Sequence, residues 1–224
     1  MPIQGLIFDM DGTMIDSMPC HARSWVHFAE RHGIDVEVED LLRRTTGRTG
    51  AECMEILFGR AIDAQECAAL VHEKEEIYRG LFAPVFSEVA GFKAFSADAI
   101  GRGLRVGVGT AGDKHNIAFA FSHLRMEPMP HAVVGGDEGL AGKPEPAIFL
   151  EAARRIGAAP ASCIVFEDAP LGIEAARRAG MRAVAVCTTQ TAAQLAGPHV
   201  VASVRDYREL IASNFLGNLH AIPP

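Results

Sequence analysis

The stretch Ile3-Gln4-Gly5-Leu6-Ile7-Phe8-Asp9-Met10-Asp11-Gly12-Thr13 runs from an apolar segment straight into two carboxylates and a glycine. The apolar part predicts a buried strand, and the two-residue period of a strand lets Asp9 and Asp11 face the same side as the chain leaves it. Two carboxylates so close repel each other unless a cation sits between them. A polar turn would account for one Asp and the Gly, but not for two acids directly after an apolar strand.

Outward from this strand, further short apolar runs lie at Leu104–Val108, Ala132–Val134, Cys163–Phe166, Ala183–Val186 and Val200–Ala202. Between them, Pro146–Ile156 and Pro170–Ala179 carry apolar residues at helical spacing and are stopped by Gly157 and Gly180. Strand alternating with helix over 89–211 implies an α/β fold, a Rossmann-like parallel sheet with helices on both faces. Residues 17–88 interrupt the alternation with helical patterns only: Trp25, Phe28 and Ala29 closed by Gly33, Met54, Leu57 and Phe58 closed by Gly59, and Ala68–Leu81. The expected organisation is a core of 1–16 and 89–224 with a small all-helical cap, 17–88, inserted after the first strand and lying above the carboxyl ends of the strands, where open α/β sheets bind ligands. No pattern assigns a structure to Ser213–Pro224.

A second pair of acids ends another strand in Val165-Phe166-Glu167-Asp168-Ala169-Pro170. Parallel strands put their carboxyl ends on one edge, so these acids approach Asp9 and Asp11. Capping of the following helix would explain Glu167 and Asp168 taken alone, but four acids at one edge call for a hard divalent cation, and magnesium suits carboxylates, waters and phosphate. Gly142-Lys143-Pro144 adds a lysine able to hold phosphate, and in Val108-Gly109-Thr110 the hydroxyl and the amides that follow, beginning with Ala111, can bind phosphate oxygens.

The order DxDGT, strand-end Thr, Lys-Pro, Glu-Asp resembles the haloacid dehalogenase superfamily over nearly the whole chain. The helical insert after the first motif resembles the branch holding β-phosphoglucomutase and many sugar-phosphate phosphatases. The resemblance implies that Asp9 attacks phosphorus to form an aspartyl phosphate and that Asp11 serves as general acid and then base. It implies that Thr110 and Lys143 bind the phosphoryl group, helped by Gly12, Thr13 and Ala111. Magnesium would be held by Asp9, the Asp11 carbonyl and Asp168, with Glu167 close by. A second Asp two residues after the nucleophile argues against the branch's dehalogenases. Thr46-Gly47-Arg48-Thr49 looks like the family's cap loop, so His21, Trp25 and Arg48 are candidate substrate contacts, Trp25 equally a packing residue. Where β-phosphoglucomutase carries a Lys and an Arg in that loop, this chain has Thr46 and Gly50. Those bases handle a second phosphate, so a phosphatase of a small sugar or polyol phosphate is expected first, with a mutase of the β-phosphoglucomutase type as the alternative should Arg44 or Arg48 substitute for them.

Composition agrees with that expectation. The 224 residues are 49% apolar and 22% charged with a net charge of −7, enough for one packed domain plus an insertion, and no basic block invites nucleic acid. The five scattered cysteines form no metal or redox pair, and neither a signal sequence nor a membrane-length apolar run is present, which leads us to expect a cytoplasmic monomer or weak homodimer that meets neither nucleic acid nor membrane. Gly107-Val108-Gly109-Thr110-Ala111-Gly112 also matches a GxGxxG dinucleotide fingerprint. Its first glycine falls inside the strand and an oxidoreductase would leave the acids idle, so it ranks well behind phosphoryl transfer; a noncatalytic relative ranks last.

Overall fold

The computed structural model describes residues 2–221; Met1 and 222–224, the ends of the expected core, lie outside the described residues. The six apolar runs become strands within two residues of where the sequence puts them: β1 (Gly5–Phe8), β2 (Arg105–Gly109), β3 (Ala132–Val134), β4 (Cys163–Glu167), β5 (Arg182–Val186) and β6 (Val200–Val204). They form one parallel sheet in the order β3-β2-β1-β4-β5-β6. This order reverses direction beside β1, the switch point at which doubly wound sheets open a crevice. In register, Phe8 lies beside Val108 on one side and Phe166 on the other. The residues that follow all three strands therefore emerge together.

Alternation along β1 fills both faces. Leu6 and Phe8 point into a core closed by α5 (Phe92–Gly101), α6 (Lys114–Leu124) and α9 (Tyr207–Ala212). Ile7 points into the opposite core, closed by α7 (Ala147–Ile156) and α8 (Pro170–Arg178). At Phe8 the ring stacks on Phe166 at 4.5 Å and meets Phe92 edge-on at 5.3 Å. The glycines of the GxGxxG match serve packing here: a Cβ at Gly107 would stand 3.1 Å from Ile156, and one at Gly109 3.1 Å from Phe149, so their absence lets α7 approach the sheet. Of the C-terminal segment, Phe215–Ala221 forms a 3-10 helix whose Leu216 is buried on the Phe8 side.

Between β1 and β2 the chain forms α1 (Met18–Arg31), α2 (Val38–Thr45), α3 (Gly50–Phe58) and α4 (Ala64–Phe82). The helix α2 has no counterpart among the expected helical stretches: it is short, half of its residues are charged, and the Glu37 side chain that caps it accepts the Glu39 and Asp40 amides. The helix α4 begins four residues before the expected stretch, because Asp63 caps the first turn by accepting the amides of Gln65 and Glu66. Trp25, Phe28, Leu41, Met54 and Leu70 pack these helices together. Burial does not divide neatly at the end of the insert, since Tyr78 and Phe82 of α4 join the Phe8 core. The two crossings are tied to each other: the Asp16 amide donates to the Ser87 carbonyl and the Val89 amide to the Met14 carbonyl, both at 3.0 Å. Among the described residues no helix is long and apolar enough to cross a membrane. All five thiols are free, and burial pushes Cys53 up to about 12 and Cys163 up to about 11.

Phe8→Ala is expected to cost about 3–5 kcal/mol, since it empties the centre of an aromatic cluster, whereas Val85→Ala, at an exposed apolar position, stays within about 0.5 kcal/mol. Urea unfolding of the two variants beside the parent measures both.

Candidate active site

The adjacent ends of β1, β2 and β4 deliver Asp9, Thr110, Glu167 and Asp168 to one edge, and the segment before α7 adds Lys143; all five are buried. Lys143 Nζ lies 2.6 Å from Asp9 Oδ1 and 2.7 Å from Glu167 Oε2. Glu167 also accepts the backbone amides of Asp168 and Ala169 at 3.2 and 3.0 Å, which fixes its carboxylate. Asp168 accepts from Thr189 Oγ1 at 2.7 Å and, at the long limit of 3.4 Å, from Thr13 Oγ1. Gly12 makes this proximity possible: its φ is +75°, and a Cβ there would stand 2.2 Å from Asp168 Oδ2.

The carboxylates of Asp9, Glu167 and Asp168 bring oxygens within 4.8 Å of one another. Three buried carboxyls share one ammonium, so full ionisation would leave two negative charges uncompensated. Burial pushes the Asp9 carboxyl up to about 7 even against the pull of Lys143, and burial with Glu167 and Asp9 as neighbours holds Asp168 well above the ordinary carboxylate range. Although burial works against the Lys143 charge, Asp9 and Glu167 keep its ammonium above lysine's usual range. A hard divalent cation fits this set in charge, in donor type and in oxygen spacing.

Asp11 stands across the cavity in a different setting. Its Oδ1 accepts from Ser17 Oγ at 2.7 Å, His21 Nε2 at 3.2 Å and Tyr78 OH at 3.3 Å. Lys74 Nζ lies 2.8 Å from His21 Nδ1; an ammonium only donates, so Nδ1 accepts and Nε2 carries the proton given to Asp11. The His21 ring stacks on Tyr78 at 3.7 Å between centroids. Burial would raise the Asp11 carboxyl, but His21, Ser17 and Lys74 together hold it below the ordinary range. Two carboxyls two residues apart are thus driven in opposite directions by their surroundings.

The cavity between sheet edge and helices has room for water-sized molecules of about 100 Å³, and Asp9, Asp11, Thr110, Ala111, Glu167 and Asp168 line it. Thr110 Oγ1 accepts the Gly112 amide at 3.0 Å, and the Gly12 carbonyl accepts from Thr188 Oγ1 at 2.5 Å. His21, Trp25 and Arg48 also face the cavity. Trp25 is 5% exposed and packs on Phe28, so it lines the site and belongs to the helical cluster at once. Arg48 Nε is held by the Arg44 carbonyl at 3.0 Å. Sequence reasoning missed Lys74, Glu75, Tyr78 and Asn116. A signal for Lys74 was present, because it sits in the buried stripe Cys67, Leu70, Lys74, Tyr78, Phe82 at helical spacing.

Gly172, on α8, supports Glu167 from behind: a Cβ there would come within 2.0 Å of Glu167 Cδ. Gly→Ala inside a helix ordinarily stabilises by about 1 kcal/mol. Gly172→Ala is expected to reverse that sign and destabilise by about 1–3 kcal/mol, read as a lower urea midpoint; a raised midpoint would show that Glu167 is not held there.

With this geometry in hand, relatives are recognisable. The chain is 32% identical over 188 residues to the fructose-1-phosphate phosphatase YqaB of Escherichia coli (strain K12), covering 81% of this chain and 95% of the relative. It is 31% identical over 192 residues to the β-phosphoglucomutase of Bacillus subtilis (strain 168), covering 82% and 83%. A haloacid dehalogenase hydrolase, family IA, variant 3, from Entamoeba histolytica superposes with a TM-score of 0.82 at 25% identity, over 97% of this chain and 100% of the other. The family model for haloacid dehalogenase-like hydrolases matches residues 3–180, spanning both acid pairs and the lysine between them, and the chain belongs to that family.

Proposed function

We propose that this protein is a phosphatase that hydrolyses a small phosphorylated metabolite, a sugar or polyol phosphate, through an aspartyl phosphate on Asp9, with magnesium as cofactor. The observation that carries this reading is the pair of unlike carboxyls lining one cavity: Asp9 locked against Lys143 in an acidic cluster, and Asp11 held by Ser17, His21 and Tyr78. Asp9 attacks phosphorus while the ester oxygen leaves with a proton from Asp11; Asp11 then takes a proton from water, whose oxygen displaces Asp9 and yields inorganic phosphate. Asp11 rests ionised in this arrangement, and the approach of an anionic phosphate raises its proton affinity as the acid step needs. Lys143, the Thr110 hydroxyl and the Ala111 amide would hold the phosphoryl oxygens; Gly12 and Thr13, expected to help, instead give their amides to the Ile15 and Met10 carbonyls at 2.8 and 3.3 Å. Asp9, Asp168 and the Asp11 carbonyl would hold magnesium, with Glu167 beside them, and the ion when bound offsets the charge of the phosphoryl group. Residues 17–88 would act as a cap over the core of 1–16 and 89–224, and the buried free thiols suit a cytoplasmic location.

Water rather than a sugar hydroxyl is the acceptor in this reading. A mutase needs fixed positive charge in the cap for its second phosphate. Thr46 hydrogen-bonds the Leu42 carbonyl at 2.7 Å, and a Cβ at Gly50 would stand 2.8 Å from Val71, so a longer side chain is unwelcome there. Arg43 and Arg44 pair with Asp40. Among the described residues the cap cations lining the cavity are Lys74 and Arg48. Lys74 is engaged by His21 and Glu75, and Arg48 by the Arg44 carbonyl.

Phosphate release from a panel of hexose and hexitol monophosphates, without a bisphosphate activator, tests the proposal. Asp9→Asn is expected to lose about 10³-fold or more and Asp11→Asn about 10²–10⁴-fold, with melting retained. Isomerised sugar phosphate appearing faster than free phosphate would contradict the hydrolase reading, and near-parental turnover by Asp9→Asn the covalent one.

The cation can be tested without turnover. Because the folded Asp9 carboxyl titrates at about 7 against an ordinary 3.8, its protonated form contributes stability that is complete below the ordinary value and is lost as pH rises through about 7. Asp9 would have to give up that proton to hold magnesium, so stabilisation by added magnesium in thermal melts should be larger at about pH 8 than at about pH 5.5. An equal shift at both pH values, or none, would oppose a magnesium site at Asp9 and Asp168.

A further inference from the structure

The active-site cavity continues into a second groove of about 530 Å³ between α3, α4 and the segment after β2. Five residues, Gly50, Glu75, Ala111, Gly112 and Asn116, line both spaces. Glu75 stands at this throat with 13% of its side chain exposed. Lys74 Nζ donates to its Oε1 at 2.8 Å, and Asn116 Nδ2, from α6, donates to its Oε2 at 2.6 Å. Asn116 is held in turn by Arg79 NH1 at 2.7 Å, so the carboxylate is fixed from the helical insert and from the sheet side together. A carboxylate has about four acceptor positions; with two engaged, the others remain for a ligand in the cavity. Burial would raise the Glu75 carboxyl, but Lys74, His21 and Asn116 hold it below the ordinary glutamate range.

A fixed anion at the mouth of a small cavity treats leaving groups unequally. Hydroxyls donate to its oxygens, whereas a second phosphate has no proton to give them and would have to compete with Glu75 for the lysine beside it. That lysine, Lys74, is engaged by this carboxylate: its donors point at Glu75 and His21 and its ammonium lies over the Trp25 ring at 4.8 Å, so it is not left free to receive a second phosphate. The groove beyond carries Asp113 and Asp137 with Lys114.

We propose that Glu75 is a specificity-determining residue: it accepts hydroxyl hydrogens from the uncharged, polyhydroxylated leaving group of a monophosphate and excludes substrates bearing a second phosphate on that group. The proposal rests on the phosphatase reading above. It predicts the class of substrate, a monophosphorylated polyol or sugar, and the group that enforces it.

The test compares kcat/KM for phosphate release from hexose and hexitol monophosphates with that from a hexose bisphosphate, in the parent and in Glu75→Gln. Glutamine keeps an acceptor for Asn116 and removes the charge. The parent should prefer the monophosphates, and Glu75→Gln should narrow that preference about tenfold or more, with Glu75→Ala moving the same way. The ratio cancels the active fraction of each preparation, so partial loss of folded enzyme leaves the readout intact. A preference unchanged while both rates fall together would make Glu75 a structural residue and overturn the proposal, as would a parent enzyme that takes the bisphosphate equally well. A parent that releases phosphate from no member of the panel would instead remove the phosphatase reading, and this inference with it.

Discussion

Lys143 buries its ammonium between Asp9 and Glu167, and the rest of the sheet edge is arranged to keep that charge set whole. Ions taken out of water are tolerated only when geometry and hydrogen bonding are nearly complete, and removing one partner leaves the others uncompensated. Glu167 is accordingly pinned by two backbone amides and by the close passage of Gly172. Asp168 is anchored by Thr189 and crowded by Gly12. The negative charge that full ionisation of these carboxyls would leave uncompensated is what the proposed magnesium would offset.

Topology does the assembling. Residues more than one hundred positions apart meet because β1 lies between β2 and β4 in parallel register, so three strands discharge their next residues into one crevice. The helical insert leaves the core directly after the first acid pair and returns before α5, with its two crossings hydrogen-bonded to each other. Its contribution to the site is electrostatic as well as steric: Lys74 orients His21, and His21 with Ser17 and Tyr78 holds Asp11 in a state opposite to that of Asp9.

Much of this was legible in the sequence. Strands and acid pairs announced themselves because a fully buried parallel strand is a continuous apolar run, and acids at its end have no packing reason to be there. Lys143 and Thr110 were legible through order and resemblance more than through chemistry, since single lysines and threonines are common. The residues that escaped are Lys74, Glu75, Tyr78 and Asn116: Glu75, Tyr78 and Asn116 meet partners across the gap between insert and core, and Lys74 holds His21 beside it. A charged pair inside a long helix reads as solvated surface until tertiary packing shows that α1 covers it, and only the anomaly of a lysine in the apolar stripe of α4 hinted otherwise. The short helix α2 escaped because half of its residues are charged, and it is fixed by the Glu37 cap and by the burial of Leu41.

The central claim is that Asp9 carries the phosphoryl group between substrate and water. Rapid-quench of a single turnover, followed by mass spectrometry of the peptide containing Asp9 and Asp11, observes that transfer directly. The account predicts a transient phosphoryl adduct on Asp9 that rises before free phosphate and decays as phosphate appears. Phosphate release at the parental rate with no adduct at any time, or an adduct on a different residue, would contradict it.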